Sequence, residues 1–450
     1  MSVTLQLNSS DNVAILTARA AAGDQPLGAG QPLSASVPPG HKIACADIPE
    51  GAPIFKYGQV IGFAAEPIAS GSHVHTHNCA FGAHGKAEGH GAQLSQARAA
   101  IPALAPRSFH GYVRSNGQVA TRNMIALIAT VNCSATVIRR AADQINQSGI
   151  LDDFPNVDGV IAFSHGTGCG MASDGPGWDN LMRVLWGYAT HPNVGAAVFV
   201  GLGCEVMQIA RMKQRFEANG QERFYGLTIQ ETGGTRETTE KIVGKVKDLL
   251  SEVNAVQREN RPLSDLTVAL QCGGSDGHSG VTANPALGMA SDYLVGHGGT
   301  VILSETPEIY GAEQLLLERT ADGDVAQALR DRIAWWEDYT RINGGSMDNN
   351  PSPGNKAGGL TTILEKSLGA VAKGGSTPLN EVVPYGAEPK AKGLVFMDTP
   401  GYDPVSVTGQ IAGGAQIVVF TTGRGSAFGS KPAPTIKLAT NDQLFKAMPE

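Results

Sequence analysis

Seven short apolar runs, each breaking off into a loop of small and reactive residues, constrain this chain more than any other feature. Segment 266–270 leads into CGGSDGHSG (272–280), which sets Cys272, Ser275, Asp276 and His278 among four glycines. Runs 125–131, 160–163 and 196–200 lead into Asn132-Cys133-Ser134, SHGTGCG (164–170) and GLGCE (201–205). Runs 301–303, 394–397 and 416–420 lead into SETPE (304–308), DTPGYD (398–403) and TTGRGS (421–426). Short continuous apolar runs with β-branched residues read as strands buried on both faces. In open α/β sheets, ligands bind in the crevice beyond the carboxyl ends of the strands. The loops therefore read as pieces of one site, or of two. Glycine there lets backbone N–H groups approach a ligand closely. For the 270–280 loop alone, a tight turn around a small buried cysteine is the plain alternative.

A chain of 450 residues suggests two to three domains at roughly 150 residues each. With 42% hydrophobic and 17% charged residues it can bury a large core and is not disordered. A net charge of −7 without a basic run argues against a nucleic-acid surface. No stretch approaches the ~20 apolar residues that span a bilayer. The start, MSVTLQLNSSDN, lacks the features of a secretory signal. Six cysteines in so long a chain are not a disulfide framework. A cytoplasmic protein with reduced thiols is expected.

Residues 1–95 read as a small β-rich module, with strands near 12–17, 43–46, 53–57 and 60–64. It ends in GSHVHTHNC (71–79). If that segment is extended, His73, His75 and His77 share a face. They are then either a zinc-, iron- or manganese-type ligand set or a polar strand edge with solvated imidazoles. The Gly- and Ala-rich stretch 80–107 reads as a mobile linker, with His84 and His90 solvated.

From 109 onward strands alternate with helical segments, near 134–147, 179–189, 205–218, 236–256, 312–337 and 356–372. Ser134 is the expected N-cap of the first. This alternation implies an α/β fold with mainly parallel sheets. A soft boundary near Pro262 divides it into lobes 109–260 and 261–450, behind a linker at 96–108. The polar segment 343–359 suggests a lid or binding loop; Lys356 opens the helix that carries Glu365 and Lys366. Arg424 between glycines suits a carboxylate or phosphate. Phosphate-loop spacing and a strand-to-helix G-x-G-x-x-G are both missing, so no nucleotide is expected. Cys169, Cys204 and Cys272 follow different strands. They either hold an iron–sulfur cluster, with Cys133 a fourth candidate, or pack tight loops.

TVNCSAT (130–136), HGTGCGM (165–171), GLGCE (201–205), IQETGGT (229–235) and LQCGGSDGHSGVTANPALG (270–288) together resemble the altronate and galactarate dehydratases. SETPEIYGAE (304–313), NNPSPGNKAGGLTTILEKSLGAVAKGG (349–375), FMDTPGYDPVS (396–406) and FTTGRGSA (420–427) extend the resemblance over almost the whole chain. PPGHKIA (38–44) and YGQVIGFA (57–64) resemble the β-clip module, called SAF, at the front of these enzymes. SETPEIYG, MDTPGYDPVS and HVHTHN resemble the altronate branch. Such enzymes continue past the segment like KLATN (437–441) into an acidic, cysteine-bearing tail, whereas this sequence runs to Glu450.

The resemblance implies dehydration of a sugar acid, with D-altronate losing water between C2 and C3 to give 2-dehydro-3-deoxy-D-gluconate. It also implies dependence on Fe(II) or Mn(II) and a homodimer. Residue roles are expected as follows: His165, Asp276, His278 and Lys356 in catalysis, and Arg122, Asn123, Thr235, Ser275, Glu305 and Arg424 on the substrate. Metal or cluster ligands are expected among His73, His75, His77, Cys169, Cys204 and Cys272. Dehydration of another aldonate or aldarate, a sulfo-lyase reaction, and a non-catalytic carbohydrate-binding protein are the rival readings.

Overall fold

The computed structural model describes residues 3–82, 85, 89–216, 224–320 and 322–449. His84 and the end of the expected 205–218 helix lie outside the described residues. The N-terminal module has two small antiparallel sheets. Two α/β lobes with parallel sheets follow it.

The second lobe centres on six parallel strands, in the order Leu379–Val383, Gly393–Met397, Thr300–Leu303, Thr267–Cys272, Ile417–Thr422 and Thr435–Ala439. The chain starts in the middle, at Thr267–Cys272, steps one way to Thr300–Leu303 and later returns on the other side with Ile417–Thr422. That reversal opens a crevice beyond Cys272 and Thr422. The first lobe has four parallel strands, Gly159–Phe163, Met124–Ala129, Val194–Gly201 and Phe224–Thr228.

Side chains alternate across a strand with period 2, and the continuous apolar runs use both faces. Val301, Leu303, Leu394 and Phe396 share one core with Val13, Ile54, Ile61 and Val74 of the N-terminal module. Ile302, Val395 and Met397 point the other way, into a core shared with Ala126, Ile128 and Phe199 of the first lobe. The six-stranded sheet is therefore packed on both faces, by helix Ala283–Gly296 on the module's side and by helix Asp403–Ala412 on the first lobe's side.

The module is thus not a lid on a loose tether, as the glycine-rich stretch behind it suggested. Part of that stretch lies along the second lobe: Gly91 N donates to Leu317 O at 3.0 Å, Gln93 N to Glu318 O at 2.8 Å, and 94–99 is helical. The expected helix 312–337 is two, Gln314–Leu317 and Gly323–Ile342. Segment 356–372 is also two, Pro353–Ala357 and Ile363–Ala372, parted by Gly358-Gly359. Ser134 takes the N-cap position of helix Ala135–Gln147 but makes no side-chain cap bond. It lies in a 3₁₀ turn and donates its hydroxyl to Val131 O at 2.9 Å and Val200 O at 2.7 Å. None of the described helices is long and apolar enough to cross a membrane.

Candidate active site

The module meets the second lobe through a buried charge cluster. Glu365, on the Ile363–Ala372 helix, holds Lys42 Nζ and Lys56 Nζ at 2.8 Å each. Lys42 Nζ also donates to Gly359 O at 2.7 Å. Burial alone would push the Glu365 carboxyl up, but the two ammonium groups hold it well below the usual carboxylate range. This fixes His41, next to Lys42, against the lobe.

Four rings gather there. His41 Nδ1 lies 3.0 Å from His73 Nε2, and His41 Nε2 lies 3.3 Å from Ala357 O. The His75 ring is centred 4.8 Å from His41 and 5.4 Å from His73. The His77 ring, exposed, is 5.6 Å from His73. The strand reading of HVHTHN holds only for His73–Val74. Beyond it Asn78 turns the chain, its side chain accepting from His75 N at 2.9 Å and donating to His73 O at 3.0 Å. The turn, not strand alternation, brings the rings together, and His41 takes the place foreseen for His77.

Opposite the rings lies the loop after Thr267–Cys272. Gly277 permits the approach, because a Cβ there would sit 2.0 Å from Gly40 O. His278 comes close to Gly40, and its Nδ1 lies 3.7 Å from Asp276 Oδ2. Asp276 accepts from Ser279 Oγ, Thr440 Oγ1 and Asn441 Nδ2 at 3.0 Å each. Burial raises the Asp276 carboxyl, but His278 and these hydroxyls outweigh it and leave it below its ordinary value. It is a carboxylate fixed in place beside His278. Arg424 N donates to Gly274 O at 2.8 Å, and its side chain is exposed. Ser275 is buried beside it, its carbonyl accepting from Asn355 Nδ2 at 2.8 Å. Lys356, half-buried, precedes the carbonyl that meets His41.

A second cluster lies at the same sheet edge, fully buried. Cys272 Sγ lies 2.8 Å from Lys373 Nζ and 3.7 Å from Glu308 Oε2. Lys366 Nζ lies 2.5 Å from Glu308 Oε1, and Asn350 Nδ2 donates to the same oxygen at 2.7 Å. Segment 343–359, expected as a lid or binding loop, is tied to this cluster through Asn350. Glu305, 0% exposed and with φ +71°, accepts no hydrogen bond on either carboxylate oxygen. Burial and the neighbouring Glu308 raise its carboxyl well above the ordinary value. Burial also pushes the Cys272 thiol up to about 11.

Among the described residues two groups have ligand atoms within 4.8 Å of one another: His41, His73 and His75, and Cys272, Glu305 and Glu308. The histidines suit a transition-metal ion. Burial first, then the neighbouring rings, lowers His73 to about 3, while burial first, with Lys42 and His41, lowers His75 to about 4, so both imidazoles are neutral near pH 7. His75 Nδ1 is buried without a hydrogen-bond partner. In the Cys272 group, two lysine ammoniums already occupy the place of a cation.

Other expected site residues fall elsewhere. Cys272 is not grouped with Cys169 and Cys204, which are exposed on the first lobe. His165 is satisfied on both ring nitrogens, by Ala129 O at 3.1 Å and Thr167 N at 3.2 Å, and so holds a loop rather than a proton in transit. Asn123 is 0% exposed and bonded to Arg114, Asn156 and Val253. It and Arg122 precede strand Met124–Ala129, at the amino rather than the carboxyl edge of the sheet. Thr235 is exposed at the start of helix Thr235–Ala255, and its carbonyl accepts from Thr239. The sequence assigned no site role to His41, Lys42, Lys56 or Lys373, and pointed to Glu308 and Glu365 only through the segments that carry them. For the residues without a role, the adjoining His41 and Lys42 in PPGHKIA were the only visible signal.

Known proteins match along the length. Residues 2–81 match the family model "Altronate/galactarate dehydratase SAF domain". Residues 111–254 match "D-galactarate dehydratase/Altronate hydrolase, second domain", and 263–450 match "D-galactarate/Altronate dehydratase, C-terminal". The altronate dehydratase of Bacillus subtilis (strain 168) is 37% identical over 91% of this chain and 80% of its own length. That of Escherichia coli (strain K12) is 36% identical over 98% and 87%. The galactarate dehydratase (L-threo-forming) of Escherichia coli (strain K12) is 36% identical over 98% and 85%. With three consecutive family models and relatives matched over most of their length, the chain belongs to the altronate/galactarate dehydratase family of hydro-lyases.

Proposed function

We propose that the chain dehydrates D-altronate to 2-dehydro-3-deoxy-D-gluconate in the crevice between His41, His73 and His75 of the module and the 272–280 loop of the second lobe. The convergence of three neutral imidazoles on a loop bearing His278, Asp276 and Arg424 carries this reading. A divalent iron or manganese ion held by His41, His73 and His75 would supply Lewis acidity toward the substrate carboxylate and its 2-hydroxyl.

The remaining steps belong to the chain's own side chains. Arg424 takes the substrate carboxylate with its planar fork. His278, kept in orientation by Asp276, accepts the C2 proton. Lys356 gives a proton to the C3 hydroxyl, which leaves as water. The enol that remains tautomerises to the 2-keto acid. Purified protein with Fe(II) or Mn(II) should form a 2-keto-3-deoxy acid from D-altronate, detected with semicarbazide, and a chelator should abolish turnover. Turnover of galactarate with none of altronate would overturn the substrate assignment. A rate indifferent to chelation would overturn the metal dependence.

Arg424→Lys is expected to raise KM about 10- to 100-fold, the equivalent of about 1.5–3 kcal/mol for a lost charge-assisted contact, with a smaller change in kcat. An unchanged KM removes Arg424 from the site.

A further inference from the structure

We infer that the first lobe holds an iron–sulfur cluster on Cys133, Cys169 and Cys204. These follow three adjacent parallel strands: Met124–Ala129 in the middle, flanked by Gly159–Phe163 and Val194–Gly201. All three are free and exposed, whereas Cys79 and Cys272 are buried. Buried packing is the ordinary role of a free cysteine, and it does not account for three exposed thiols at one sheet edge.

The loops that carry them are tied together. Asn132 N donates to Thr167 O at 2.9 Å, linking the Cys133 loop to the Cys169 loop. Val206 N donates to Gly168 O at 3.0 Å, linking the Cys204 loop to the residue before Cys169. Gly168, with φ +100°, lies so close to the strand end that a Cβ would sit 2.3 Å from Thr130 O. The glycines on the outer side are open: a Cβ at Gly166 or Gly170 would meet nothing within 4 Å. Glu205 is not available as a further ligand, since its carboxylate accepts from Thr130 Oγ1 at 2.8 Å and Gly203 N at 2.7 Å.

The three cysteines are not among the groups whose ligand atoms lie within 4.8 Å of one another, so they do not frame a single ion. A cluster spreads its cysteine sulfurs farther apart than one ion can, and cysteine thiolates are its usual ligands. Helix Ala135–Gln147 begins two residues after Cys133, and its positive end suits a thiolate-rich, anionic assembly. Three cysteines leave one iron with an exchangeable position for an oxygen ligand. The inference is independent of the sugar-acid reading, because the histidine crevice is built from the other parts of the chain.

The full chain, purified without oxygen or reconstituted with Fe(II), sulfide and a thiol reductant, tests it. A broad visible absorption band is expected, with iron and acid-labile sulfide in equal amounts, about four each per chain. Cys133→Ser, Cys169→Ser and Cys204→Ser should each lose most of the band and the sulfide, while Cys45→Ser keeps both. The His73→Ala, His75→Ala double variant should also keep both, which separates the cluster from an ion in the crevice. Iron without sulfide overturns the inference. So do three thiols that react equally with a thiol reagent before and after reconstitution, or a band that persists in all three serine variants.

Discussion

Glu365→Ala is expected to destabilise the folded chain by about 3–5 kcal/mol, the range for removing one partner of a buried ion pair. Glu365, Lys42 and Lys56 are each at most 1% exposed. The carboxylate also accepts from Thr361 N at 2.9 Å and Thr361 Oγ1 at 2.7 Å. Truncation leaves two ammonium groups without a counter-charge in the core that joins the module to the second lobe. Glu365→Gln separates charge from packing, since it keeps the shape and removes only the charge. It should cost nearly as much, read as a fall in the denaturant midpoint. A Gln variant with the parent's midpoint would mean that the lysines do not depend on that charge.

The same cluster gives the acid response its sign. The Glu365 carboxyl lies below its unfolded value of ~4.3, so its contribution is full above that pH and is lost as pH falls through the folded value. Acid unfolding of the parent should therefore be steeper below pH ~4.3 than that of the Gln variant. Equal slopes would remove Glu365 from the acid response.

The strands were legible because a strand covered on both faces must be apolar at every position, and 301–303 and 394–397 are. The alternation between two cores, Ile302 one way and Val301 and Leu303 the other, left no mark on so uniform a run. Helix breaks left little mark where the signal was small: Asp322 caps a new helix at Gly323, and Gly358-Gly359 parts two others. The clamp was invisible for another reason. Lys42 and Glu365 are 323 positions apart, and a lysine in a strand reads as a solvated edge until a partner is seen.

The catalytic loops show the same division. Asp276 and His278 were found because their chemistry is crowded into one loop. Asn123 and His165 offer a suitable residue type next to a strand. The type did not reveal which end of the strand Asn123 occupies, or that both His165 nitrogens are spoken for. His41 stood alone in sequence, and a lone histidine gives no pattern to read. The reactive residues of the 304–308 loop were visible, but not that Lys366 and Lys373 neutralise them from a helix some 60 residues on.

His73→Ala combined with His75→Ala is expected to lower kcat/KM on the sugar acid about 10³-fold, the equivalent of roughly 4 kcal/mol of lost charge stabilisation. Iron or manganese content should fall with it. Both rings belong to the one group of imidazoles within reach of a common point among the described residues, and they are half-buried where module and lobe meet. Stability should change little, because the Glu365 clamp and the shared apolar core hold the module in place without them. His77→Ala is the internal control. Its ring is exposed and outside that group, so activity and metal content should stay within a few-fold of the parent. His41→Ala should resemble the double variant in metal content, since His41 Nδ1 meets His73 Nε2 at 3.0 Å and completes the set. A double variant that keeps full activity and full metal content would take the module out of the active site. The catalytic ion would then have to be sought beside Cys272, Glu305 and Glu308, where a metal would have to displace Lys373 from the thiol it now touches.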